Sequence, residues 1–171
     1  LGVGDPDRPT PKRLVEVAAV ALKDPEHHRY PANRGSRRLR EVIARYMRRR
    51  FGVEVDAEKE VVALLGSKEG LAHLPLAVTD PGDAMLVPDP GYPVYTQSAV
   101  LAGVTPIPFP LTADRAFLPD PAQIDALATD RVRLLWLNYP NNPTGAEAGA
   151  GLLRPLVNLA ARRGWILAND A

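Results

Sequence analysis

The 171-residue sequence has no cysteine, only three histidines and two tryptophans, and 6% aromatic residues in all. Without cysteine there is no disulfide framework and no thiolate metal centre, which fits a reducing compartment such as the cytoplasm. His27 and His28 are adjacent, so neither a helix nor a strand puts both on one face. No third ligand follows at metal spacing, and a solvated loop accounts for the pair, so no metal site is expected. No apolar run approaches the roughly 20 residues of a membrane span, and no signal-peptide pattern opens the chain. An excess of one charge is missing too. The 21 Lys and Arg stand against 20 Asp and Glu, which gives no general case for nucleic-acid or membrane partners.

What is present is ordinary globular material, 46% hydrophobic and 24% charged, punctuated by 18 prolines and 13 glycines. Periodicity predicts helices over 11–23, with Leu14, Val17, Ala18 and Ala21 on one face, and over 37–50, capped by Ser36. The second helix carries an apolar stripe of Leu39, Val42, Ile43, Tyr46 and Met47. Its arginines, including Arg40 and Arg48 to Arg50, cover the remainder. That basic surface is the one feature favouring nucleic acid. Its aromatic residue lies on the apolar stripe rather than among the charges, so a solvated helix face explains it.

From residue 61 onward, strands and helices alternate. Strands are expected at 61–65, 84–87, 104–108, 132–137 and 165–168, the third at an edge because of its prolines. Helices are expected at 67–78, 94–102, 121–128 and 147–163. Alternation of this kind implies a three-layer α/β/α fold with a largely parallel sheet.

Three stretches carry polar groups at the ends of apolar runs. Gly66-Ser67-Lys68 joins a predicted strand to a helix, which is an anion site in physical terms, because the first helical N–H groups lack partners. It has neither Walker A nor dinucleotide glycine spacing, so a nucleotide-binding domain is disfavoured. Asn138-Tyr139-Pro140-Asn141-Asn142-Pro143-Thr144-Gly145 ends the most apolar run, and its prolines restrict the loop that holds the Asn141 and Asn142 amides. Asp170 ends the next run, where an unpaired buried carboxylate would be costly. Ligands of open α/β sheets sit outside the carboxyl ends of strands. An asparagine and an aspartate there suit one planar heterocycle with a phenolic oxygen and a ring nitrogen.

These residues, with Tyr30, Gly35, Leu39-Arg40, and Pro90-Gly91-Tyr92, resemble the fold-type I pyridoxal-phosphate aminotransferases of class I/II over essentially the whole chain. The resemblance implies an enzyme that moves an amino group between an amino acid and a 2-oxo acid, with pyridoxal 5'-phosphate as cofactor. It implies that Asp170 pairs with the ring nitrogen, Asn142 with the phenolic oxygen, and that Tyr92 stacks on the ring. Ser67 and Lys68 hold the phosphate, and Tyr30 reaches the cofactor phosphate of the other subunit of a homodimer. The backbone at Gly4 approaches the substrate carboxylate, and Tyr95 packs.

The family's Schiff-base lysine lies downstream, so no catalytic residue is expected here. None of Lys12, Lys23, Lys59 and Lys68 matches it. On this resemblance, residues 1–28 associate with a small domain and 29–171 form the N-terminal part of the cofactor-binding large domain, in a chain expected to be part of a longer protein. Among relatives the look is that of the diaminopimelate type. A β-lyase, a decarboxylase or the aminotransferase-like domain of a transcriptional regulator are the alternatives.

Overall fold

The computed structural model describes residues 6–171. They form two compact units, which divide between Ala63 and Leu64. Gly4 lies outside the described residues.

The first unit is helical. Helix α1 spans Lys12–Ala21 and buries none of its residues, so its expected apolar face is open, with Leu14 59% and Val17 60% exposed. A 3₁₀ turn at Pro25–His28 follows, capped by the Asp24 carboxylate, which accepts from the Glu26 N–H at 3.0 Å. His27 and His28 are exposed and each bonds through a ring nitrogen to a backbone carbonyl at the end of α1, those of Ala21 and Leu22.

Helix α2 spans Arg37–Phe51 and starts as its sequence dictates. The Ser36 hydroxyl accepts from the Leu39 N–H at 3.1 Å, and the helix ends at Gly52 in the left-handed region. Arg48 to Arg50 occupy the last turn, where the helix dipole favours cations. The stripe expected to pack is largely open, however, and the buried residue of α2 is Arg40. Its guanidinium donates to both carboxylate oxygens of Glu58 and to the Ala57 carbonyl. A periodic pattern says which side of a helix is apolar. It does not say that this unit contains something to cover that side.

The strand expected at 61–65 is absent. A strand needs a ladder of hydrogen bonds to a neighbour, and among the described residues this run makes a single backbone contact of that kind, from the Ala63 N–H to the Arg34 carbonyl at 3.4 Å. Leu65 is consequently 95% exposed.

The second unit carries the sheet. Strands β1 (Ala84–Asp89), β2 (Thr105–Pro110), β3 (Val132–Asn138) and β4 (Ile166–Asp170) pair in parallel in the order β2-β1-β3-β4. Parallel neighbours need long crossovers. Helices α4 (Val94–Leu101), α5 (Pro121–Leu127) and α6 (Ala150–Arg163) supply them, and α3 (Ser67–Val78) precedes β1. Strand β2, with Pro106, Pro108 and Pro110, lies at an edge. The central strands are buried almost throughout, as their unbroken apolar runs require. The one exposed position of β3 is Arg133, which faces Asp83 at 3.5 Å.

Each face of the sheet has its own core. Leu86, Leu135 and Leu137 pack with Ile124 of α5 and Leu156 and Leu159 of α6 on one side. Met85, Val87, Leu134 and Trp136 pack with Leu71 of α3 and Val94, Tyr95 and Ala99 of α4 on the other. This unit is thus the expected three-layer α/β/α arrangement. Chain order reverses between β1 and β3, with α4 on one face and α6 on the other. The carboxyl ends of β1 and β3 therefore flank a topological switch point, where open α/β sheets bind ligands.

Candidate active site

Strand β3 delivers Asn138 to its carboxyl end as the ladder partner of Asp170, the last residue of β4. Asn138 is 7% exposed. Its Nδ2 donates to the Asp170 carbonyl at 2.7 Å, and its Oδ1 accepts from the Asn142 N–H at 2.7 Å.

The loop beyond is closed by its own backbone. The Asn141 N–H donates to the Ala146 carbonyl, and the Gly145 N–H donates to the Asn141 carbonyl at 2.7 Å. Asn141 and Asn142, paired in the sequence reading, part company here. Asn141 is 3% exposed, and its Nδ2 donates to the Thr144 hydroxyl at 2.9 Å, so it braces the loop. Asn142 is exposed and presents its amide outward. Tyr139 ties the loop to the body of the unit, its hydroxyl donating to the Phe117 carbonyl at 2.9 Å.

Asp170 is half-buried, and its Oδ2 accepts a hydrogen bond from the Tyr95 hydroxyl at 2.7 Å. Tyr95 packs as expected, 1% exposed and stacked on Trp136 with centroids 5.0 Å apart. That packing also aims its hydroxyl at the carboxylate, a role sequence reasoning missed. Burial, reinforced by the hydrogen bond and the charge of Asp170, raises the Tyr95 pKa far above the usual tyrosine range. Tyr95 therefore keeps its proton and acts as a fixed donor to the Asp170 carboxylate. The available signal was the helical spacing from Tyr92. Tyr92 is half-buried, two residues before α4, and edge-on to Tyr95 with centroids 6.0 Å apart.

Ser67 and Lys68 open α3 and are exposed. Gly66 precedes them at φ +89°, and no side chain caps the helix, which leaves its first N–H groups for an anion. Leu71, one turn on, packs in the same core as Tyr95 and Trp136. The structure thus sets Ser67, Lys68, Tyr92 and Asp170 on elements of one face of the sheet, with Asn142 bonded to the end of β3. Tyr30 belongs to the first unit and is 94% exposed.

The switch point of this parallel α/β sheet thus carries an acidic residue, an amide, an aromatic ring and a helix start without a side-chain cap. The sequence matches the family profile "Aminotransferase class I and II" over residues 1–171, and the chain belongs to that family, whose members depend on pyridoxal phosphate.

Among its relatives is an LL-diaminopimelate aminotransferase of Desulforudis audaxviator, 50% identical over 171 residues, 100% of this chain and 44% of that protein. An L-glutamine–4-(methylsulfanyl)-2-oxobutanoate aminotransferase of Bacillus subtilis is 45% identical over 99% of this chain and 43% of its own length. Of solved structures, the N-succinyldiaminopimelate aminotransferase of Mycobacterium tuberculosis superposes with a TM-score of 0.93 at 34% identity, over 99% of this chain and 44% of that one. The chain spans less than half the length of these relatives.

The residues present fit the cofactor. Asp170 offers a carboxylate held by the Tyr95 hydroxyl. Its Oδ1 takes no hydrogen bond from the described residues, and the Asn142 side-chain amide has no partner among them either. The start of α3 supplies free donors for a phosphate.

Proposed function

We propose that the protein is a pyridoxal-phosphate-dependent aminotransferase that moves an amino group between an amino acid and a 2-oxo acid, with a diaminopimelate-type substrate. The observation that carries this is the hydrogen-bonded group at the ends of β3 and β4, in which Tyr95, Asp170, Asn138 and Asn142 are joined by three contacts of 2.7 Å. The substrate class rests on the 50% identity to the Desulforudis enzyme.

Bound pyridoxal phosphate supplies a ring that takes up the electron pair released at the substrate α-carbon. Asp170 holds a proton at the ring nitrogen, and the Tyr95 hydroxyl keeps the carboxylate in place. Asn142 donates to the phenolic oxygen. The Tyr92 ring lies against the cofactor, a contact worth about 1 kcal/mol. Ser67, Lys68 and the N–H groups of the first turn of α3 bind the phosphate. The Schiff-base lysine is none of Lys12, Lys23, Lys59 and Lys68, so residues 1–171 alone are inactive. Residues 1–28 associate with the small domain of the whole protein, which works in the cytoplasm as a homodimer with Tyr30 reaching the partner's cofactor phosphate.

The test is to load the full-length protein with pyridoxal phosphate and assay LL-diaminopimelate and L-glutamine as donors with a panel of 2-oxo acids. Cofactor absorbance with faster amino transfer from LL-diaminopimelate is expected. Loading without transfer from any donor, or release of carbon dioxide or a β-substituent instead, contradicts the proposal.

A further inference from the structure

We propose that Asn138 is a positioning residue whose single side-chain amide couples the loop carrying Asn142 to the strand end carrying Asp170. The inference rests on the reading above, because the two groups it couples are those assigned to the cofactor ring.

Asn138 closes β3, sits opposite Asp170 on the ladder and is buried. Its two contacts go to backbone groups, which settles the amide's orientation. The Asn142 N–H only donates and the Asp170 carbonyl only accepts, so exchanging the amide oxygen and nitrogen would set like against like. One side chain therefore has to donate on one side and accept on the other, at the reach of a single methylene. Serine is too short for both partners. Leucine fills the space and satisfies neither. Aspartate keeps the acceptor for Asn142 and turns an oxygen toward the Asp170 carbonyl. Buried polar groups bonded on both sides hold one arrangement and penalise the alternatives. Here the arrangement held is the spacing between Asn142 and Asp170. Each end of the Asn138 amide is committed to one of these two backbone contacts.

The experiment uses the full-length protein and two variants, Asn138→Ala and Asn138→Asp. In the apo protein, residue-resolved hydrogen exchange reads the Asn142 amide directly. Asn138→Ala is expected to lower its protection about tenfold, the effect of one buried hydrogen bond, while Leu134 to Leu137 keep theirs. Asn138→Asp is expected to leave Asn142 protected.

With pyridoxal phosphate bound, both variants are expected to shift the pH midpoint of the cofactor absorbance. In both, kcat falls about tenfold or more. Asn142→Ala and Asp170→Ala serve as references. If they alter absorbance and turnover while both Asn138 variants match wild type, the coupling is overturned and the aminotransferase reading stands. If the references themselves leave the cofactor signal unchanged, that reading fails and the coupling fails with it. Should Asn138→Ala not fold, Asn138→Asp decides. A protected Asn142 with a shifted midpoint supports the coupling. An unprotected Asn142 or an unshifted midpoint overturns it.

Discussion

At the scale of single residues, the Tyr95 hydroxyl and Asp170 form the most consequential pair. The hydroxyl is buried, held by stacking on Trp136, and delivers one hydrogen bond to a carboxylate. Tyr95→Phe keeps the stack and removes only that bond. In the full-length protein it should lower kcat about tenfold with little change in fold, measured by turnover beside circular dichroism.

Tyr139 makes a different prediction. Burial pushes its pKa from 10.0 up to about 12. Between those values the unfolded chain loses the proton while the folded state keeps it, so stability present below pH 10 falls as pH rises toward 12. Tyr95 contributes with the same sign. Melting temperature should therefore decline across this window, and Tyr139→Phe should decline less steeply. Equal slopes would contradict the assignment.

The positions of Asp170 and Asn142 at strand ends were legible in the sequence, because both follow apolar runs that end in turn residues. The Tyr95 hydroxyl and the Asn138 amide were not. Both are partnerships across the sheet, 75 and 32 residues apart in sequence, and local pattern carries no information about them.

At the scale of elements, legibility followed pairing. Helix α2 was readable from its Ser36 cap, α5 from Asp120 and Pro121, and β1, β3 and β4 from runs that find neighbours. The run at 61–65 has the composition of a strand without a hydrogen-bonded ladder. The open stripe on α2 and the burial of Arg40 show the same limit, since amphipathicity names a face and not its cover.

Where two elements meet, the turn at 88–91 is close-packed. A Cβ at Gly91 would collide with the backbone carbonyl oxygen of Pro88, which has no freedom to yield. Gly91→Ala should destabilise the protein by about 1–3 kcal/mol. It should also misplace Tyr92, which raises the pyridoxal phosphate concentration needed for loading. Chemical denaturation and cofactor titration check both effects.

At the scale of the whole molecule, the proposed dimer makes the site a joint property of two chains. Twofold interfaces are self-complementary, so Tyr30 of each subunit serves the other. Tyr30→Phe should weaken cofactor retention by about the worth of one hydrogen bond to a charged group, ~1.5–3 kcal/mol, without changing the melting of the apo protein. Full activity from a species that sediments as a monomer would refute the shared site.

The most direct measurement of the central claim is the turnover of full-length Asp170→Ala loaded with pyridoxal phosphate. If Asp170 keeps the ring nitrogen protonated, the variant should retain its fold and lose at least about a hundredfold in kcat, matching ~3 kcal/mol for one charge-assisted contact in a dry site. Turnover within a few-fold of wild type would show that Asp170 is not the partner of the ring nitrogen.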